Sequence, residues 1–424
     1  MSAKAFIGGA GVGKTHNLME AVEHQLGLQP LKQGQKVLAL TFMHGSRRRL
    51  EARLSDIPAM RRCYECMTID SFAWRIVNRW RELALDLGCA RVDPDEYEWI
   101  CYVAGLLLRF DYVQQWIANT YPYVILDEAQ DLTVNRLEIF ESIAHSVELY
   151  IAADEFQCLD ENLKPNPACS WIDRSAEIGE LTVSHRTTQP ELLAAATALR
   201  SGQDLQSGKM FRIAEGFNKG LAGTWLSNQI GWYGRGLSTA IITPAIGSYS
   251  DGTISWASEN TTKKKNGPHK ILSEKPNSKL TEEFIQNLPL MQTMSAETVR
   301  QIMQNQGEPS VSSDLDHWLE KMSRCSDRKE FSKDEITMRI RKSFAQRKRR
   351  DQVTHDKKIR AMTVHGAKNR EFDNVIVLWP AAVSGYSDDQ KRRLLYNAVT
   401  RAKKRCLVIV QSKRELNQAP FCGS

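Results

Sequence analysis

The chain has 424 residues, 42% hydrophobic and 25% charged, with a formal net charge of +7. That length allows roughly three ordinary domains, and the balance is that of a water-soluble globular protein. No segment approaches the roughly 20 uncharged apolar residues of a membrane span, and Met1 runs straight into an apolar strand, so neither membrane insertion nor a signal peptide is expected and the location read is cytoplasmic. The nine cysteines are scattered through apolar contexts and read as reduced thiols; Cys63 and Cys66, the one close pair, have no second pair at metal-ligand spacing.

Ala5-Phe6-Ile7 is a short apolar run ending in Gly8-Gly9-Ala10-Gly11-Val12-Gly13-Lys14-Thr15, after which Thr15 to Val22 reads as a helix. Strand, glycine loop and helix in this order make a phosphate cradle. Gly8, Gly11 and Gly13 let backbone N–H groups face phosphates, the helix start adds positive potential, Lys14 reaches the β- and γ-phosphates and Thr15 holds Mg²⁺. A second strand, Val37 to Leu40, leads to Thr41, Phe42 and the basic run Arg47, Arg48 and Arg49. Thr68-Ile69-Asp70-Ser71-Phe72 follows, and 73–120 is helical and aromatic-rich. Tyr123 to Leu126 is a strand that delivers Asp127 and Glu128 at its carboxyl end. One carboxylate there suits the Mg²⁺ shell and the next polarises a water, which makes Asp127 the metal-side acid and Glu128 the general base. Leu149 to Ala153 ends at Asp154-Glu155-Phe156-Gln157, where an amide can sense a γ-phosphate because it both donates and accepts, and Asp154 and Gln157 are the expected sensor residues.

Further apolar runs at Ala240 to Thr243, Val375 to Trp379 and Leu407 to Val410 alternate with helical patterns, which predicts an α/β fold with parallel sheets. Between them, 247–354 opens with a polar stretch from Ser258 to Lys279 that reads as a flexible loop. It turns helical over Glu282 to Met303 and Leu315 to Met322, then ends in 339–350, where seven basic residues suit phosphates or a protein partner.

The remaining motifs are Ser184-His185-Arg186-Thr187, Thr363-Val364-His365-Gly366-Ala367-Lys368 with Glu371-Phe372-Asp373, and Tyr396-Asn397-Ala398-Val399-Thr400-Arg401-Ala402. With the segments above, in this order, the chain resembles the UvrD/Rep/PcrA group of superfamily 1 helicases. The resemblance implies two RecA-like P-loop NTPase domains, each interrupted by a mainly helical insertion, with ATP and Mg²⁺ in the cleft between them. The implied ranges are 1–72 with 121–190 for the first domain, 191–246 with 355–424 for the second, and 73–120 and 247–354 for the insertions. Arg186 and Arg401 would then be arginine fingers, and Glu371 would hold the ribose. Thr41, Phe42, Thr68, Phe72, Thr363 and His365 would lie along single-stranded DNA, with hydroxyls on phosphates and aromatic faces under bases. The implied activity is 3′ to 5′ translocation on single strands, with unwinding of duplex junctions as an output.

Several positions depart from that pattern. With seven residues ahead of Gly8, the upstream Gln segment that reads adenine is expected to be missing, leaving ATP first among triphosphates. Cys158-Leu159-Asp160 and the Pro-rich Lys164-Pro165-Asn166-Pro167 stand where a stacking aromatic is usual, and Trp171 is the substitute. Gly45 replaces a Lys, Asp70 a His, and Asn369-Arg370 a Gly-Leu pair. Reduced insertions and the short segment after Arg401 suit a motor working with a nuclease or other protein partner, as in repair or anti-phage systems. The rival expectations are a nucleotide-controlled regulatory subunit and an RNA-directed helicase.

Overall fold

The computed structural model describes residues 3–42, 44–89, 96–234, 236–274, 277–304, 306, 308–326, 329–351 and 359–423. The first half of the chain runs β1 (Ala3–Gly8), α1 (Lys14–Leu28), β2 (Val37–Thr41), α2 (His44–Asp56), β3 (Tyr64–Thr68), α3 (Ile69–Arg79), α4 (Arg81–Asp86), α5 (Tyr97–Leu107), α6 (Asp111–Thr120), β4 (Tyr123–Asp127), α7 (Val134–Ile143), β5 (Glu148–Ala153), α8 (Pro167–Ser175) and β6 (Glu177–Leu181). The strands form one sheet in the order β3-β2-β4-β5-β1-β6, every pair parallel. Parallel strands aim their carboxyl ends at a common edge, so the glycine loop, Thr41, Asp127 and Asp154 share that edge. Both faces are covered, and alternation sorts the side chains. Leu38, Leu40, Val124 and Leu126 enter one core, and Val37, Ala39, Tyr123 and Ile125 the other.

The second half continues with α9 (Pro190–Ser201), β7 (Phe211–Glu215), α10 (Lys219–Tyr233), β8 (Thr239–Thr243), α11 (Ser248–Glu259), β9 (Ile271–Ser273), α12 (Asn277–Gln286), β10 (Thr293–Ser295), α13 (Ala296–Gln304), α14 (Pro309–Ser326), β11 (Glu330–Ser332), α15 (Lys333–Asp351), β12 (Ile359–Thr363), β13 (Phe372–Trp379), α16 (Asp388–Val399) and β14 (Ala402–Val410). A second six-stranded sheet has the order β7-β14-β13-β8-β12-β9, again parallel throughout. The expected α/β fold with parallel sheets is what the chain adopts, and two doubly covered parallel sheets are consistent with two RecA-like domains.

The helices over 73–120 pack into the core of the first sheet, and two sequence expectations, on 258–279 and on 282–303, need correction. Phe72, Ile76, Val77, Ile100, Val103 and Leu107 are in one continuous core with the strands of the first sheet, because their 3.6-residue apolar period faces that sheet. The polar stretch 258–279 is not simply a flexible loop. Thr262 is buried, its hydroxyl donates to Asn228 Oδ1 at 2.8 Å, and β9 then adds an edge strand beside β12. The helical span expected over 282–303 is broken after Gln286, where Pro289 cannot continue a helix and β10 pairs antiparallel with β11.

Two helix–strand–helix units, α12-β10-α13 and α14-β11-α15, thus meet through their short strands around a separate core that includes Val299, Leu315, Phe331 and Ile340. The expected second-domain boundary at 354/355 and the side chains of 345–350 in the basic segment lie outside the described residues.

Next to the edge of the first sheet, Glu65 of β3 accepts from Lys36 Nζ at 2.8 Å and Tyr121 Oη at 3.0 Å and pairs with Arg75. Burial works against its charge, but these donors prevail and hold the carboxyl at about 2, below its ordinary 4.5. A depressed pKa contributes stability that is complete above the unfolded value and lost as pH falls through the folded one. The Tm advantage of wild type over Glu65→Gln should therefore shrink as pH is lowered from 4.5 to about 2; an advantage unchanged over that window would contradict this assignment.

Candidate nucleotide site and strand path

The loop after β1 is shaped by its glycines. Gly11 and Gly13 take φ of 80° and 84°, the left-handed region that glycine adopts without strain. A Cβ on Gly11 would also stand 2.5 Å from Cβ of Arg186, so the segment following β6 packs directly on the loop. His185 N donates to Gly11 O at 2.7 Å and fixes that contact. Lys14 Nζ folds back to donate to the carbonyls of Gly8 and Gly9 at 3.0 and 2.9 Å.

Across the carboxyl edge, the Thr15 hydroxyl donates to Asp127 Oδ2 at 3.5 Å. Burial and the neighbouring Glu128 carboxylate push Asp127 above the usual carboxylate range, against the pull of Lys14 and Arg53. Two adjacent acids and a hydroxyl that lack a full complement of positive charge fit a divalent cation, which Thr15 and Asp127 would hold. Glu128 has φ of 62°, a conformation unusual for a non-glycine residue, and Gln130 Nε2 donates to its Oε2 at 2.6 Å.

The second sheet closes the site. Arg401 is buried, and its Nη2 donates to Gln157 Oε1 at 3.1 Å; burial, with Arg186 close by, lowers its guanidinium to about 10. Arg186 Nε donates to Glu371 Oε1 at 2.8 Å and its Nη1 to Thr400 O at 3.0 Å. Lys403 Nζ sits 3.0 Å from Glu371 Oε2, and Arg186 and Lys403 together outweigh burial to hold Glu371 at about 2.

Gly11, Gly13, Lys14, Thr15, Asp127, Glu128, Gln157, Arg186, Glu371 and Arg401 all line one cleft of about 410 Å³. Gly8, at the end of β1, is just behind it. A Cβ there would meet Leu181 O at 2.3 Å, so its glycine serves strand packing. Sequence reasoning missed His16, Arg53 and His185 as lining residues. Arg53 had a legible signal, lying one helical turn beyond the basic run at 47–49 on the same helix. Lys368 Nζ reaches both oxygens of Asp131 at 2.6 and 2.7 Å, a further tie between the two halves.

The residues expected along a nucleic-acid strand separate into two groups. Phe42 is half-buried with its ring 5.3 Å from the Arg136 guanidinium, Thr363 is half-buried with its hydroxyl accepting from Gly366 N at 3.0 Å, and His365 is exposed. Phe72, in contrast, is fully buried, because α3 repeats apolar residues at Ile69, Phe72, Ala73, Ile76 and Val77 and turns that face inward. Its ring offers no face to a base. Thr68 is buried as the N-cap of α3, accepting from Ser71 N at 3.2 Å, and Thr41 is fully buried at the end of a central strand. Trp171, the expected substitute stacker, is also a core residue.

The sequence departures have local explanations. Asp70 accepts from the buried Arg136 at 2.8 Å and so anchors the cation beneath Phe42. Asn369 takes φ of 60°, a left-handed conformation that Asn tolerates in place of glycine. Arg370 donates to Glu274 at 2.7 Å, as does Arg360 at 2.8 Å. The side-chain surroundings of Gly45 lie outside the described residues.

Among the described residues no helix is long and apolar enough to cross a membrane. Residues 2–161 match an AAA domain model and residues 358–409 the UvrD-like helicase C-terminal domain. No curated protein matches the chain. Among solved structures it is similar to the PRRSV helicase at 11% identity and a TM-score of 0.40, over 100% of this chain and 55% of that one, so it spans about half that helicase's length. The AAA match covers the glycine loop and the Asp127–Glu128 strand, and the helicase match covers β12 to β14 with Glu371 and Arg401; together the two matches support a UvrD-like superfamily 1 helicase family for this chain.

Proposed function

We propose that the chain hydrolyses ATP with Mg²⁺ in the cleft between its two sheets and uses the cycle to move along single-stranded DNA, 3′ to 5′ as the family resemblance implies. The observation that carries this is the convergence on one cleft of Lys14, Thr15, Asp127, Glu128 and Gln157 with Arg186, Glu371 and Arg401. In this account Lys14 leaves the loop carbonyls for the β- and γ-phosphates, and Glu128 takes the proton of the attacking water. Gln157, already bonded to Arg401, orients that water and reports the γ-phosphate. Arg186 and Arg401 neutralise charge that grows on the transferring phosphoryl group. Bound Mg²⁺ supplies further charge neutralisation at the phosphates. Glu371 meets the ribose after exchanging Arg186 for it. Phe42, Thr363 and His365 form the strand path, with Arg136 beneath Phe42, and bind sequence-blind through stacking and phosphate contacts.

A second reading, a nucleotide-controlled subunit of a nuclease or defence complex, is favoured by the burial of Thr41, Thr68 and Phe72, which leaves a sparse strand path. Steady-state ATP hydrolysis without nucleic acid and with single-stranded DNA, duplex DNA or single-stranded RNA separates these. The motor predicts many-fold stimulation by single-stranded DNA, abolished by Lys14→Ala and by chelation of Mg²⁺. Hydrolysis indifferent to every nucleic acid would sink the motor and leave the regulatory subunit, and preferential stimulation by RNA would reassign the substrate.

The two phenylalanines give an internal check. Phe42→Ala should weaken single-stranded DNA binding by about 1–3 kcal/mol, the usual value of one stacked base. Phe72→Leu should lower Tm while leaving strand affinity unchanged, and the opposite pattern in DNA titrations would contradict the strand path.

A further inference from the structure

We infer that Arg200 is a positioning residue that decides whether Lys14 is free to meet a phosphate, by competing with it for the buried carboxylate of Asp154. The inference rests on the reading of the cleft as an ATP site. Asp154 follows β5 and has no exposed surface. From its own half of the molecule, Lys14 Nζ lies 3.8 Å from Oδ2. From α9 in the other half, Arg200 Nη1 donates to Oδ1 at 2.7 Å. The carboxylate cannot turn to follow either cation, because Gln157 Nε2 donates to Oδ2 at 2.7 Å and the Tyr396 hydroxyl at 3.4 Å. The Asp154 backbone N–H is itself held by Gln130 Oε1 at 2.9 Å.

Arg200, whose side chain is 37% exposed, is held by two aromatic rings and a hydroxyl. Its guanidinium lies 5.3 Å from the Phe156 ring and 5.5 Å from the Tyr396 ring, and Nη1 also donates to Tyr396 Oη at 3.3 Å. Tyr396 Oη in turn accepts from Ala10 N, inside the glycine loop, at 2.7 Å. The second half of the molecule therefore grips both the loop and the acid next to it.

A buried carboxylate has to keep a cation. With the halves together, Arg200 provides it, and Lys14 stays beyond hydrogen-bond distance of Asp154, resting on loop carbonyls that a phosphate readily replaces. With the halves apart, Arg200 and Tyr396 leave with α9 and α16, and Lys14 becomes the cation that Asp154 captures. Cation exchange on one acid thus ties closure of the cleft to its affinity for a triphosphate.

The test is the Kd of a fluorescent ATP analogue for the full chain. Arg200→Ala should raise Kd about tenfold, a usual size for coupling between linked sites, with Arg200→Lys recovering most of it. The same substitution made in an Asp154→Asn background should change Kd by less than about twofold, since two residues that act through one another are not additive. A purely structural role for Arg200 would give equal effects in both backgrounds, and that result, or wild-type affinity in Arg200→Ala, overturns the inference. Tyr396→Phe removes one hydroxyl without disturbing packing, so it reports if the other variants fold poorly: a smaller rise in Kd is expected, and no change overturns the grip on the loop. If the unaltered chain binds no nucleotide, the reading of the cleft fails, and this inference with it; if it binds and only the Arg200 series is flat, the inference alone fails.

Discussion

A carboxylate sealed from water at the junction of two sheets sets the terms for the rest of the molecule. Asp154 has no exposed surface, so its charge must be met from within, and cations from both halves come to it. The same economy governs Arg401, buried against Gln157, and Asp131, paired with Lys368. Each is a charge that neither half can bury alone. Desolvation makes an unpaired ion costly and a paired one directional, so these contacts specify how the two sheets meet and where the cleft lies.

The glycine loop depends on that meeting as much as on its own backbone. Gly11 must be glycine for two reasons, its positive φ and the Arg186 side chain packed on it, and the second belongs to tertiary structure. In this state the residues of the cleft occupy one another: Lys14 rests on carbonyls, Arg186 on Glu371, and Arg401 on Gln157. A triphosphate would replace several of these internal partners at once. Such a site stays satisfied when empty and rearranges only for a ligand that offers the right charges.

Much of this was legible in the sequence, and the reasons are particular. The central strands β2, β4, β5, β8, β13 and β14 are continuous apolar runs because both faces of their sheets are covered. Edge strands β6 and β9 carry exposed and polar residues, so their pairing left no periodic trace. The loop, the Asp127–Glu128 pair and the two arginines, which the fold brings to one cleft, were readable as candidates because phosphate chemistry limits which residue types can serve. Phe72 was misplaced although its own helix marked it as core, since the 3.6-residue period through Ile69 and Ile76 is visible in the sequence. Arg200 left no signal at all. It is a surface-like arginine on an alanine-rich helix, and its partner is 46 positions away.

The claim beneath the whole account is that residues from both halves of the chain act on one γ-phosphate. The most direct measurement is kcat for ATP hydrolysis in saturating single-stranded DNA for Arg186→Ala, Arg401→Ala and the double variant. Each single substitution should lower kcat by about 10³ to 10⁵, and the double variant should fall little further, because groups that act as a unit are not additive. Near wild-type turnover in either single variant would show that the cleft is not where the chemistry happens.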